Sequence, residues 1–362
     1  MLWGKRTAGG FCLAALVLCA DLAVLAARWD DPSVSDAVAS SSARPQPLAP
    51  TTTTTTSTVP APAPTTTAPA PPPTKPPTTT TAPPHPSYVD PARPGMWSVQ
   101  PYQGLGVWLD VFDWTGEFTN GHARVGLEDI DRMAAEGIQT LFIQTSHRRS
   151  SEDVIERPRL LDYINRAHAN GMSVVGWYLP MLEDVSVDLR RLVAAVEQLP
   201  LDGLGVDIES LAVKDPAERT RRLLALSTDL RNVLGPRAIS AITQSAVVMQ
   251  VINPGYWPGF PWPEIGGLYD AVIPMSYWSE RKPEWKSGER VVAEDIDRIR
   301  ANTGRPDMPI HVAGGIANNV SLDDLRGMVS SILTRQVLGG SLYDWNTSQP
   351  DQWDLLRALR VG

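Results

Sequence analysis

Cysteine is nearly absent. The 362 residues include 2, Cys12 and Cys19, both in one apolar run near the N-terminus. The rest of the chain therefore has no disulfide and no cysteine-ligated metal, and its stability must come from an ordinary core. Histidine is scarce too: of 5, His85 falls in a proline-rich stretch, His122 in a loop and His168 in a helical pattern, and only His147 and His311 lie on or just after strand patterns. There is no HExxH metal pattern, no GxSxG nucleophile elbow and no glycine-rich phosphate loop after the first strand, so neither a metal nor a cofactor is expected. A basic surplus is also missing. The first 100 residues hold 6 basic and 5 acidic side chains, leaving 26 basic and 35 acidic in the remainder, a net of −9. That balance argues against nucleic acid or anionic lipid as a partner of this part.

Composition divides the chain into three. Residues 5–27 read KRTAGGFCLAALVLCADLAVLAA, two basic residues before an apolar run, so residues 1–30 are expected to be a signal peptide or an N-terminal membrane anchor. Lys5 and Arg6 should stay in the cytoplasm and the remainder be exported. Residues 31–100 contain TTTTTTSTVPAPAPTTTAPAPPPTKPPTTTTAPP, which cannot bury a core and is expected to be a disordered linker. Residues 101–362 have the length of a (β/α)₈ barrel, and a monomer that touches the membrane only through its N-terminal segment is expected.

Within residues 101–362, short apolar runs alternate with amphipathic segments. Strands are predicted at 104–111, 138–145, 173–179, 202–209, 238–244, 269–277, 309–315 and 340–345, with helical three- and four-residue spacing between most of them. Eight such alternations predict an α/β fold, a closed TIM-type barrel. The connection 245–268, rich in Pro, Gly and Trp, reads as loop.

The stretch DGLGVDIES, 202–210, carries the sharpest signal. Leu204, Val206 and Ile208 occupy one strand face, Gly203, Gly205, Asp207 and Glu209 the other. In a barrel the apolar face packs under the helices and the acidic face points inward, at the carboxyl end where active sites of this fold lie. The same alternation predicts a ring of inward residues at that end: Trp108 and Asp110, Gln144, Tyr178, Gln244, Tyr277 and Trp345. Two adjacent inward carboxylates repel, which raises the pKa of one of them, and a carboxylic acid protonated near neutrality is what glycosidic cleavage needs. Glu209 is the candidate acid. Asp207 would orient or stabilise the sugar, Tyr277 donate a hydrogen bond and Trp345 form an apolar floor. Trp114, Trp257, Trp262, Trp278 and Trp285 fall after strand ends, where aromatic faces suit sugar rings.

Asp202-Gly203-Leu-Gly-Val-Asp207-Ile-Glu209 resembles the strand-four signature DGxDxDxE of the chitinase-type, family 18 glycoside hydrolases. Met275-Ser-Tyr277 resembles their strand-six MxYD, and Gly339-Gly340-Ser-Leu-Tyr-Asp-Trp345 their strand-eight segment. The resemblance implies Glu209 as acid, Asp207 as the residue that positions an acetamido group for attack on the anomeric carbon, and Tyr277 as its hydrogen-bond donor. Gly205 stands where the signature has its middle Asp, Trp278 where it has the Asp after the tyrosine, and strand three reads GWYLP. Gly106-Val-Trp-Leu-Asp110, Asp113-Trp114 and the Asp207–Glu209 pair also resemble the family 25 muramidases, which would add Asp110 to the catalytic carboxylates. Sequence therefore predicts an exported glycosidase acting on a polysaccharide or cell-wall glycan. A carbohydrate-binding pseudoenzyme is the alternative that Gly205 and Trp278 favour, and a protein-binding scaffold explains the stalk but not the inward acids. Trp114 and Trp278 are assigned to substrate binding with Trp345, Trp108, Gln144, Tyr178 and Gln244.

Overall fold

The computed structural model describes residues 99–361 apart from Glu280 and Lys282. The leader or anchor expected at 1–30 and nearly all of the linker expected at 31–100 lie outside the described residues. Among the described residues no helix is long and apolar enough to cross a membrane.

Eight parallel strands close into a barrel in chain order: β1 (Gly104–Leu109), β2 (Thr140–Gln144), β3 (Ser173–Tyr178), β4 (Gly203–Ile208), β5 (Ile239–Gln244), β6 (Ala271–Ser276), β7 (His311–Ile316) and β8 (Gly339–Tyr343). Each falls on a predicted run, six of them within its bounds, while β7 runs one residue past its run to Ile316 and β8 starts one residue before its run at Gly339. The described helices between and after them are α1 (Val111–Trp114), α2 (Leu127–Ala135), α3 (Arg157–Ala169), α4 (Val185–Gln198), α5 (Pro216–Leu234), α6 (Trp262–Leu268), α7 (Gly288–Thr303), α8 (Leu322–Thr334) and α9 (Pro350–Leu356). Their starts follow local chemistry: Asp184 accepts from Ser186 N and Val187 N at the head of α4, Asp215 from Ala217 N at α5, and Ser287 from Arg290 N at α7.

Two elements depart from expectation. The first strand stops at Leu109 because Asp110 Oδ1 accepts from Phe112 N at 2.7 Å while Asp113 Oδ2 accepts from Asp110 N at 3.1 Å, a reciprocal cap that turns the chain into α1. The connection 245–268 is not all loop. It holds a π-helical turn, Val248–Ile252, and then α6, with Trp257, Phe260 and Trp262 packed in series at centroid separations of 5.2 and 4.6 Å.

The strand register sets which side chains enter the barrel, since directly paired residues in parallel strands share a face. Trp108 pairs with Phe142, Phe142 with Val175, Gln144 with Trp177, Trp177 with Gly205, Asp207 with Ile242 and Gln244 with Met275. This inward layer is aromatic: Trp108 stacks on Phe142 at 4.3 Å and meets Trp177 edge-on at 5.9 Å. Below it, the Tyr102 hydroxyl donates to Leu204 O and Ala238 O and closes the end where the strands begin. Buried His311 contacts Tyr102 O and Ser341 Oγ at 2.8 and 3.0 Å, and burial pushes its pKa down to about 4, so it is a neutral core residue.

Candidate active site

The carboxyl end of β4 presents Asp207 and Glu209 on the inward face. Asp207 is 4% exposed, and its Oδ1 receives no hydrogen bond from any described residue. A buried oxygen without a donor is costly, and a protonated carboxyl relieves part of that cost. Burial accordingly raises Asp207 well above the usual carboxylate range, with the neighbouring charge of Glu209 adding to it. Burial also pushes Glu209, partly exposed one step nearer the mouth, up to about 7. The pair thus combines a carboxyl protonated near neutrality with a second that shares its proton affinity.

Three tyrosines stand at this end. Tyr277, after β6, and Tyr343, on β8, have ring centroids 6.3 Å apart, and Tyr343 lies 6.4 Å from Trp108. The Tyr343 hydroxyl donates to Asp110 Oδ2 at 2.6 Å. Tyr256, from the connection between β5 and α6, donates to the main-chain oxygen of Glu209 at 2.6 Å. The alternation that puts Trp345 inward on strand eight puts Tyr343, two residues earlier, on the same face, but sequence reasoning gave the floor to Trp345 and did not find Tyr256. Parity marks Tyr343; no local pattern marks Tyr256, which is 47 residues from Glu209.

The expected ring is therefore gathered in part. Asp207, Glu209, Gln244, Tyr277 and Trp108 take inward positions, and Asp110 lies at the end of β1. Trp108 is buried, its Nε1 donating to Ser341 Oγ at 2.8 Å. Gln144 is fully buried, with Oε1 accepting from Val111 N and Nε2 donating to Ser146 O, so it holds the turns after β1 and β2. Four placements correct the expectation. Tyr178 faces outward, its hydroxyl donating to Asp188 Oδ1 of α4 at 2.8 Å and accepting from Arg191 Nη1; Trp177 takes the inward place. Trp114 is fully buried, tilted against Tyr163 of α3 at 5.8 Å. Trp278 is 1% exposed and packs so closely that a Cβ on Gly315 or Gly288 would reach its ring at 3.1 Å. Trp345 turns to the outer layer: Nε1 donates to Asp129 Oδ1 of α2 at 3.0 Å, and the ring lies 5.5 Å from Trp353 of α9.

One carboxylate cluster could hold a cation by geometry. Asp110, Asp113 and Asp344 are buried, with one oxygen each inside a 4.8 Å group. Phe112 N and the Tyr343 hydroxyl already donate to Asp110, Asp110 N to Asp113, and Thr347 N and Oγ1 to Asp344. These oxygens cap turns.

No protein-family model matches the chain, and no curated protein matches it in sequence. Solved structures do. The spore cortex-lytic enzyme SleL of Bacillus cereus aligns at 10% identity and a TM-score of 0.52, over 72% of this chain and 74% of that one. A class V chitinase from Pseudomonas fluorescens Pf-5 aligns at 9% and 0.51, over 71% and 99%. The endo-β-1,4-mannanase of Thermotoga petrophila aligns at 10% and 0.50, over 71% and 76%. The barrels that this chain resembles are thus chitinase-like and other glycoside-hydrolase barrels, and at these identities the likeness establishes the fold.

Proposed function

We propose that the barrel cleaves a glycosidic bond in a polysaccharide, an N-acetylated or cell-wall glycan, with Glu209 as the proton donor. The observation that carries this reading is the inward Asp207–Glu209 pair at the carboxyl end of β4, Asp207 buried and Glu209 partly exposed beside it and held up at about 7. In this reading Glu209 protonates the leaving oxygen as the glycosidic bond breaks, then as a carboxylate takes a proton from the incoming water. Asp207 lies beside it, and Asp110 is engaged by the Tyr343 hydroxyl and Phe112 N. That arrangement favours attack on the anomeric carbon by the substrate's own acetamido oxygen over attack by a protein carboxylate. Tyr277 would donate to that group, with Tyr343 as the aromatic surface beside it. The names of the similar structures, which include a cortex-lytic enzyme, a chitinase and a mannanase, agree with a glycan substrate. The apolar N-terminal run supports action outside the cytoplasm.

The test compares the domain from residue 98 onward with its Glu209→Gln variant on N-acetylated glycans, non-acetylated glycans and peptidoglycan, counting new reducing ends. Turnover lost in the variant supports the reading, and the responsive glycan identifies the substrate class. Glycan binding by both proteins without turnover would replace it with the pseudoenzyme.

A further inference from the structure

Glu209 follows the last residue of β4, where a strand end alone does not hold its position. Its main chain is caught in a closed circuit instead. The Tyr256 hydroxyl donates to Glu209 O at 2.6 Å. Tyr256 O accepts from Arg219 Nη1 at 3.1 Å, and Arg219 Nε donates to Val213 O at 3.0 Å, in the segment that leads away from Glu209. Arg219, on α5, is a buried cation whose guanidinium also lies 4.4 Å from the Trp257 ring centroid. Trp257 Nε1 in turn donates to Thr220 Oγ1 at 2.9 Å. The connection after β5 is thereby tied to α5 beside Tyr256, which is itself buried and lies close enough to the acid pair for both carboxylates to act on its hydroxyl. Burial and the negative charge of Glu209 and Asp207 keep the Tyr256 hydroxyl un-ionised, a donor throughout the working pH range.

We infer that Tyr256 is a positioning residue that fixes the main chain of Glu209 through its hydroxyl and shields the acid pair from water with its ring; this rests on the reading of Glu209 as proton donor. The two parts of the role separate in two variants. Tyr256→Phe keeps the ring and removes the hydroxyl. It is expected to lower kcat about 10–100-fold, as a slightly misplaced catalytic group does, with KM and the upper limb of the pH profile unmoved. Tyr256→Ala admits water as well. In it the Glu209 carboxyl, followed by carbon-13 NMR, is expected to titrate below its wild-type value of about 7. Wild-type kcat in the Phe variant, or a Glu209 titration in the Ala variant that coincides with wild type, would overturn the inference. The titration needs no turnover. A wild-type protein that cleaves no glycan, yet whose Glu209 pKa drops in Tyr256→Ala, refutes the glycosidase and keeps the shield.

Discussion

The Tyr343 hydroxyl donates to Asp110 Oδ2 at 2.6 Å across the seam where β8 meets β1. Asp110 Oδ1 accepts from Phe112 N at 2.7 Å, so both oxygens of this carboxylate are engaged in structure. Asp110→Asn keeps an acceptor oxygen and is expected to retain turnover. Asp110→Ala removes the cap of α1 and the partner of Tyr343, and should cost about 1–3 kcal/mol of stability. Urea denaturation and initial rates check both. Loss of turnover in Asp110→Asn as complete as in Glu209→Gln would put Asp110 among the reacting groups, as a family 25 arrangement requires.

Glu209 carries its own pH signature. Held up at about 7 by burial, it can donate a proton only below that pH, so the cleavage rate is expected to fall as pH rises through about 7. Stability should move the same way. An unfolded glutamate ionises near 4.5, whereas the folded one keeps its proton to about 7, so between those values the folded state binds more protons and loses stability with rising pH. Glu209→Gln removes the ionisation. Its melting temperature is expected to exceed wild type by a few degrees at pH 8, and to match it at pH 4, in scanning calorimetry.

Asp295, on α7, is fully buried and accepts from Ser245 Oγ at 2.8 Å, Val247 N at 2.9 Å and Ser276 Oγ at 2.6 Å. Ser245 follows Gln244 and Ser276 precedes Tyr277, so one carboxyl ties α7 to the ends of β5 and β6 behind the site. Burial pushes it up to about 6 against those three donors. Asp295→Ala leaves all three without an acceptor and is expected to destabilise the barrel by about 2–4 kcal/mol, while Asp295→Asn, which keeps one acceptor oxygen, should cost less. The urea midpoints of the two variants test the order.

Much of this arrangement is legible in sequence because alternation on β4 is one-sided: an apolar face of Leu204, Val206 and Ile208 admits only one orientation, and it sends both acids inward. The eight strand runs are visible for a related reason, being short, apolar and separated by helical periodicity. β3 is different. SVVGWYL is apolar on both faces, as in a strand buried on both sides, so alternation does not orient it. Space and partners decide: Gly205 opposite leaves room for Trp177 inside, and Asp188 with Arg191 supply partners for the Tyr178 hydroxyl outside. The tryptophans after strand ends mislead for a similar reason, since Trp114, Trp257 and Trp278 serve equally well as core once a loop or helix covers them. Tyr256 reaches Glu209 through tertiary folding alone.

Gly205 bears on whether the site lacks something. In the chitinase-type signature that residues 202–209 resemble, an aspartate stands at this position, and the resemblance suggests that introducing one would raise activity. The packing argues otherwise. A Cβ at Gly205 would come within 2.7 Å of Ile242 Cδ1 and 3.2 Å of Trp177 Cβ, so the volume that an aspartate would need is already filled. Gly205→Asp would crowd those neighbours at a cost of about 1–3 kcal/mol, and would bury a third carboxyl beside two whose pKa values are already raised. The expected outcome is a lower melting temperature and no gain in turnover. Gly205→Asp combined with Ile242→Ala removes the 2.7 Å contact and makes room for the new carboxyl. If that double variant gained activity over Ile242→Ala alone, Ile242 would be what excludes a middle aspartate; no gain would mean that the Asp207–Glu209 pair works without one.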